Sequence, residues 1–128
     1  MTTREYLEVT LGYDRGKLLQ RSLRKRRFSK PRKIKRIVGR FLARLYAGKQ
    51  LVDVVPFNFP LLAPAENFTP TGRRIAQRME ANLRTAVRIR LPYLSRINRI
   101  EIRDIGTRRH WALDLSPLRP RPAARPKP

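Results

Sequence analysis

Thirty-one lysines and arginines face only nine aspartates and glutamates in this chain, which gives 128 residues a formal charge of +22. A compact fold at that charge repels itself unless its basic groups are spread over the surface or neutralised by a polyanion. The length fits one ordinary domain with a small core. Nucleic acid is the partner this composition points to.

Other classes are excluded on similar grounds. The most apolar stretches, 51–55 interrupted by Asp53 and 57–63 broken by Pro60, fall well short of the ~20 residues of a spanning helix, so no membrane partner is expected. The first eight residues carry Glu5 and Glu8 and no apolar run, and they resemble neither a secretory signal nor an acid-poor transit peptide. With no cysteine and the single His110, disulfides, thiol chemistry and clustered metal ligands fall away, and no cofactor is expected. The scattered acidic residues suit salt bridges better than a general acid–base pair, and no glycine stands in a phosphate-loop motif. The expectation is a non-enzymatic protein.

Along the chain, Thr2 and Glu5 have capping-box spacing, and Tyr6, Leu7, Thr10 and Leu11 predict a short helix ended by Gly12. Residues 17–28 fit either a cationic helix or two short strands. From Arg32 to Ala47, Ile34, Ile37, Val38, Phe41, Leu42, Leu45 and Tyr46 recur at three- and four-residue steps and predict an amphipathic helix stopped at Gly48. Leu51 to Phe57 reads as a strand. The proline-containing connector 58–70 ends in Thr69 and Pro70, an N-cap and first-turn pair, and the helix they open carries Ile75, Met79, Leu83, Ala86 and Val87 as its core stripe. Residues 99–105 alternate as a strand, and Trp111, Leu113 and Leu115 continue as its antiparallel partner after a turn at Gly106. The fold class expected is α+β, with an N-terminal domain 1–57, the connector 58–70, a C-terminal domain 71–115 and a basic proline-rich extension 116–128.

Four basic clusters carry the functional signal. They are Arg24, Lys25, Arg26 and Arg27; the run 30–36 with Lys33, Lys35 and Arg36, followed by Arg40; the arginines of the helix expected over 73–90, among them Arg73, Arg74, Arg78, Arg84 and Arg88; and Arg108 with Arg109. This exceeds what solubility requires and predicts RNA contact. Phe28, Phe57, Phe59, Phe68 and Trp111 lie close to these clusters and could stack on bases.

The order of several short motifs resembles the family of the third universal small-subunit ribosomal protein. Residues 4–8 (REYLE) resemble the helix opening that family's KH domain, and 16–22 (GKLLQRS) its first strand. Ile37-Val38-Gly39 resembles the lead-in to the KH turn, 75–80 (IAQRME) and 83–88 (LRTAVR) two helices of the C-terminal domain, and 99–106 (RIEIRDIG) the following strand. The second Gly of the family's Gly-x-x-Gly loop is absent after Gly39. The resemblance implies a reduced KH-like half, small-subunit rRNA and neighbouring ribosomal proteins of the head as partners, and mRNA at the entry channel. Arg84 and Arg88 would then line that channel, with Thr85 replacing a third basic position. It further implies a mitochondrial, organelle-encoded form. Two rival expectations are a basic linker of a light-harvesting phycobilisome, which 27–54 loosely resembles, and a free nucleic-acid-binding protein.

Overall fold

Leu7, Val9, Leu11 and Tyr13 occupy alternate positions, with Glu8, Thr10 and Gly12 between them, and alternation places one set on each face of an extended chain. In the computed structural model, which describes residues 2–119, Thr2–Asp14 is accordingly a strand, β1. Six more strands follow: β2 (Lys17–Lys33), β3 (Phe41–Ala47), β4 (Gln50–Phe57), β5 (Arg84–Pro92), β6 (Arg99–Asp104) and β7 (His110–Ala112). A single α-helix, α1 (Pro70–Glu80), and two short 3₁₀ turns complete the described residues.

The strands form two antiparallel sheets, ordered β2-β1-β5 and β4-β3-β6-β7. Leu7, Val9, Leu11, Ile89 and Leu91 from the first pack in one apolar core with Phe41, Ala43, Leu45, Val55, Phe57, Ile100 and Ile102 from the second. Two sheets closing over a shared core make a β-sandwich. Tyr13, Phe41, Phe57 and Phe59 cluster at one end, with Phe41 and Phe59 edge-to-face at 4.9 Å between centroids. Each sheet draws strands from both sides of the 58–70 connector.

Local chemistry sets the hairpins. Arg15 and Gly16 both adopt positive φ (51° and 87°), as a type I′ turn between β1 and β2 requires. Gly48 alone has positive φ in the β3–β4 turn, which fits the first position of a type II′ turn. At the opening of α1 the Thr69 hydroxyl accepts the Gly72 N–H at 2.9 Å.

The α+β, KH-like architecture expected from the sequence is overturned: the chain is predominantly β. The helix expected at the N-terminus is β1, and 17–33 is one long strand. Within the expected helix 32–47, residues 34–40 run as an irregular crossing and 41–47 are β3. Gly39 explains part of this. A Cβ there would collide with the Phe57 backbone, so the crossing passes closer to β4 than any side chain permits. The crossing is tied down by Arg36, which donates to the Val54 carbonyl at 2.6 Å and pairs with Asp53, and by Asn58, which donates to the Val38 carbonyl at 3.2 Å. Helix α1 begins where predicted but stops at Glu80, because Thr85, Val87 and Ile89 are β-branched at alternate positions and continue as β5. Its Ile75 and Met79, expected in the core, are exposed; Ala76 and Glu80 face inward instead. The strand 51–57 and the pairing of 99–105 with the segment around Trp111 are as predicted. Of the predicted extension 116–128, residues 120–128 lie outside the described residues.

Arg40 holds the end of the sandwich. Its guanidinium is 1 % exposed and forms a two-pronged pair with Asp104 on β6 (both 2.9 Å), a pair with Glu80 on α1 (2.8 and 3.0 Å) and a bond to the Ala63 carbonyl (3.2 Å). The Phe68 ring lies 4.2 Å from the guanidinium carbon. Asp104 also accepts from Gly106 N, Thr107 N and Thr107 Oγ1, and Glu80 accepts from Ala63 N. Burial alone would push the Arg40 pKa down, but the hydrogen bonds it donates to the Asp104 and Glu80 carboxylates, with their charge, outweigh burial and hold the group above its ordinary value. One cation thereby joins β3, β6, α1 and the loop around Ala63.

Removing one member of such a network leaves buried carboxylates uncompensated. Arg40→Met should therefore cost about 3–5 kcal/mol in urea unfolding. By contrast, Arg36→Met removes a pair whose cation is solvent-exposed and should cost about 1 kcal/mol or less. Equal losses for the two would contradict this reading. Gly39→Ala should destabilise by about 1–3 kcal/mol through forced displacement of the crossing from Phe57.

Candidate nucleic-acid interface

Antiparallel partners lie on the same face of a sheet. In the first sheet, Tyr6 aligns with Arg26 and Pro92, Glu8 with Arg24 and Arg90, Thr10 with Ser22 and Arg88, and Asp14 with Lys17 and Arg84. Their neighbours Leu7, Val9, Ile89 and Leu91 fill the core, so this second set faces outward. The register skips Arg21, which pairs with no β1 residue, and its side chain lies over Gly12: an added Cβ there would come 2.8 Å from the Arg21 Nε. Arg21, Arg24, Arg26, Arg84, Arg88 and Arg90 are all exposed on this face, with only Glu8 and Asp14 as acidic counterparts.

Two of these arginines are partly neutralised. Arg84 reaches Asp14 at 3.1 Å and Arg26 reaches Glu8 at 3.9 Å. Among the described residues Arg21, Arg24 and Arg88 have no ion-pair partner. Arg90 lies over the Tyr6 ring at 5.3 Å, and Tyr6 is stacked on Phe28 at 4.2 Å. Arg32 covers the other ring at 5.0 Å. Beyond an irregularity between Thr3 and Glu5 the end of β2 stays paired with β1, and Lys33 and Lys35 border a cleft of ≈ 350 Å³. Arg88, Arg90, Phe28, Val55 and Phe57 also line that cleft.

The second sheet offers a weaker contrast. Its outward residues include Arg44, Arg99 and Arg103, but Glu101 lies within 3.8 Å of Arg44 and 3.5 Å of Arg103, while Arg99 is stacked on Tyr46 at 4.1 Å. The excess of unpaired positive charge belongs to the first sheet.

The predicted contact residues divide accordingly. Arg24, Arg26, Arg84 and Arg88 come together on the outer face; Lys33 and Lys35 border it at the cleft. Lys25 and Arg27 stand beside Glu5, and Lys25 pairs with it at 3.0 Å. Arg36 is committed to Asp53 and β4. Arg74 and Arg78 are exposed on α1, and Arg73 there donates to the Gly106 carbonyl at 2.8 Å. Arg108 is exposed in the β6–β7 turn, and Arg109 donates to the Gly16 carbonyl at 3.0 Å. Arg40, also predicted to contact RNA, is sealed in the ion network and reaches no ligand. Arg84 and Arg88 share a face as predicted, but on a strand, because β5 replaces the helix.

Base stacking loses its candidates. Phe57, Phe59 and Phe68 are buried in the core or against Arg40, Phe28 is occupied by Tyr6 and Arg32, and Trp111 packs against the core. The interface offers cations rather than free rings. Sequence reasoning missed Arg21, and it placed Arg32 and Arg90 within basic clusters without singling them out. For Arg90 the signal was present, as Arg84, Arg88 and Arg90 fall on alternate positions opposite Val87, Ile89 and Leu91.

No protein-family model, no curated protein and no solved structure matches this chain.

Proposed function

We propose that this chain is a non-catalytic RNA-binding protein that packs the outer face of its β2-β1-β5 sheet against the phosphate backbone of a folded RNA within a ribonucleoprotein. The observation that carries this reading is the six arginines on that face against two carboxylates. Guanidinium groups present paired donors to phosphate oxygens, and a strand sets same-face side chains about 6–7 Å apart. With the aromatic rings engaged inside the protein, affinity comes from charge and shape with little base readout.

The resemblance to ribosomal proteins supplies a setting for this activity: small-subunit rRNA with neighbouring ribosomal proteins, in a mitochondrial-type ribosome. Unwinding of mRNA is not carried over, because the helix that would present Arg84 and Arg88 to the message is a strand here. Those two residues serve in this reading as backbone contacts.

The test is fluorescence anisotropy with a labelled RNA hairpin, repeated across a salt series. Log affinity should fall linearly with log salt, and Arg21→Gln, Arg24→Gln and Arg88→Gln should each reduce the slope by about one, uniformly across RNA sequences. Arg74→Gln with Arg78→Gln on α1 should leave it within error. A salt-insensitive complex, or slopes unaffected by the three sheet variants, would refute the proposal. Equal affinity for duplex DNA would keep the face and change the ligand.

A further inference from the structure

The sheet face accounts for the arginine side chains of β5 but not for its free edge. Among the described residues β5 pairs only with β1. Which of its backbone groups are spent can be read from the two ends of the ladder, where Tyr93 N–H donates to the Glu5 carbonyl at 3.1 Å and Arg15 N–H to the Leu83 carbonyl at 2.9 Å. Bonded rungs alternate along an antiparallel pair. Leu91, Ile89, Val87 and Thr85 therefore bond to β1, and the N–H and C=O groups of Ala86, Arg88 and Arg90 point away from the sheet. No backbone bond from another segment reaches them among the described residues.

The facing edge of the other sheet is closed. β4 contains Pro56, which has no N–H, and its Val54 carbonyl is taken by Arg36. The ≈ 350 Å³ cleft is lined by Arg88, Ile89 and Arg90 of β5, by Val55, Pro56 and Phe57 of β4, and by Phe28 with the end of β2 and the start of the crossing that follows it. Natural proteins seldom leave a strand edge of this length uncovered.

We infer that the β5 edge is a docking site for an extended acidic segment of a partner protein, which adds to the sheet as a further strand. The geometry dictates its pattern. Side chains on one side of the added strand would lie beside Arg88 and Arg90 and should be acidic. Those on the other side would point into the cleft against Ile89, Val55 and Phe57 and should be aliphatic or aromatic. A second copy of the chain is disfavoured as occupant, because pairing two β5 edges sets arginines against arginines at a net charge of +22 per copy.

A labelled peptide alternating Glu and Val tests this against a scrambled peptide of the same composition. The alternating peptide should bind about tenfold or more tightly than the scrambled one. N-methylation at alternate residues should abolish binding in one register and leave it intact in the other, using the unaltered protein. Ala86→Pro removes an edge N–H while keeping every arginine and every rung to β1, and it should weaken the peptide without weakening the RNA hairpin. Equal binding of both peptides, or indifference to N-methylation in both registers, would show mere charge attraction and overturn the inference. Self-association through the same edge would overturn it in favour of a second copy. RNA binding and peptide binding are read separately, so the failure of one leaves the other standing.

Discussion

A guanidinium with almost no solvent contact is costly to bury, and the sandwich depends on the way Arg40 is compensated. Two carboxylates and a carbonyl converge on it from β6, α1 and the loop between β4 and α1, and Asp104 uses its remaining capacity to shape the turn at Gly106 and Thr107. Helix α1 has little apolar surface to contribute, since Ile75 and Met79 face solvent. Its attachment is ionic. The same network fixes the beginning of β3, and so sets where the crossing from the first sheet to the second ends.

Charge elsewhere is handled by geometry instead of pairing. A strand has only two faces, and this chain assigns one to Leu, Val and Ile and the other to Arg along β5, while Phe28 of β2 stacks on Tyr6 beneath Arg32 and Arg90. The outcome is a small core closed by a cationic sheet. Self-repulsion across that sheet is relieved locally by Glu8 and Asp14, and the remainder invites a polyanion. Fold and ligand class are therefore linked by one constraint, because the alternation that builds the core is what gathers the arginines.

That alternation was legible in the sequence only in places. Residues 99–105 showed it openly, 51–57 read as a strand from their β-branched apolar composition instead, and Thr69 with Pro70 marked the true start of α1. The segment 41–47 hid it. Phe41, Ala43 and Leu45 face the core, but Leu42 and Tyr46 on the opposite side are apolar too, with Tyr46 covered by Arg99, and apolar residues on both faces imitate a helical stripe. In 84–92 the same three- and four-residue coincidences masked a β-branched strand. The site suffered similarly. Arg24, Arg26, Arg84 and Arg88 were identified as cations for RNA, yet Arg40 was grouped with them, because its partners Glu80 and Asp104 lie 40 and 64 residues away. Nothing local distinguishes a buried arginine from a solvated one.

The most direct test of the central claim, that the outer face of the first sheet meets the RNA backbone, is an NMR titration of the ¹⁵N-labelled protein with an RNA hairpin, following arginine Nε–H and backbone resonances. The account predicts shifts concentrated at Arg21, Arg24, Arg88 and Arg90, with Arg40 and the Arg99–Tyr46 stack unmoved. Shifts centred on α1 or on the outer face of β3 and β6 would contradict it.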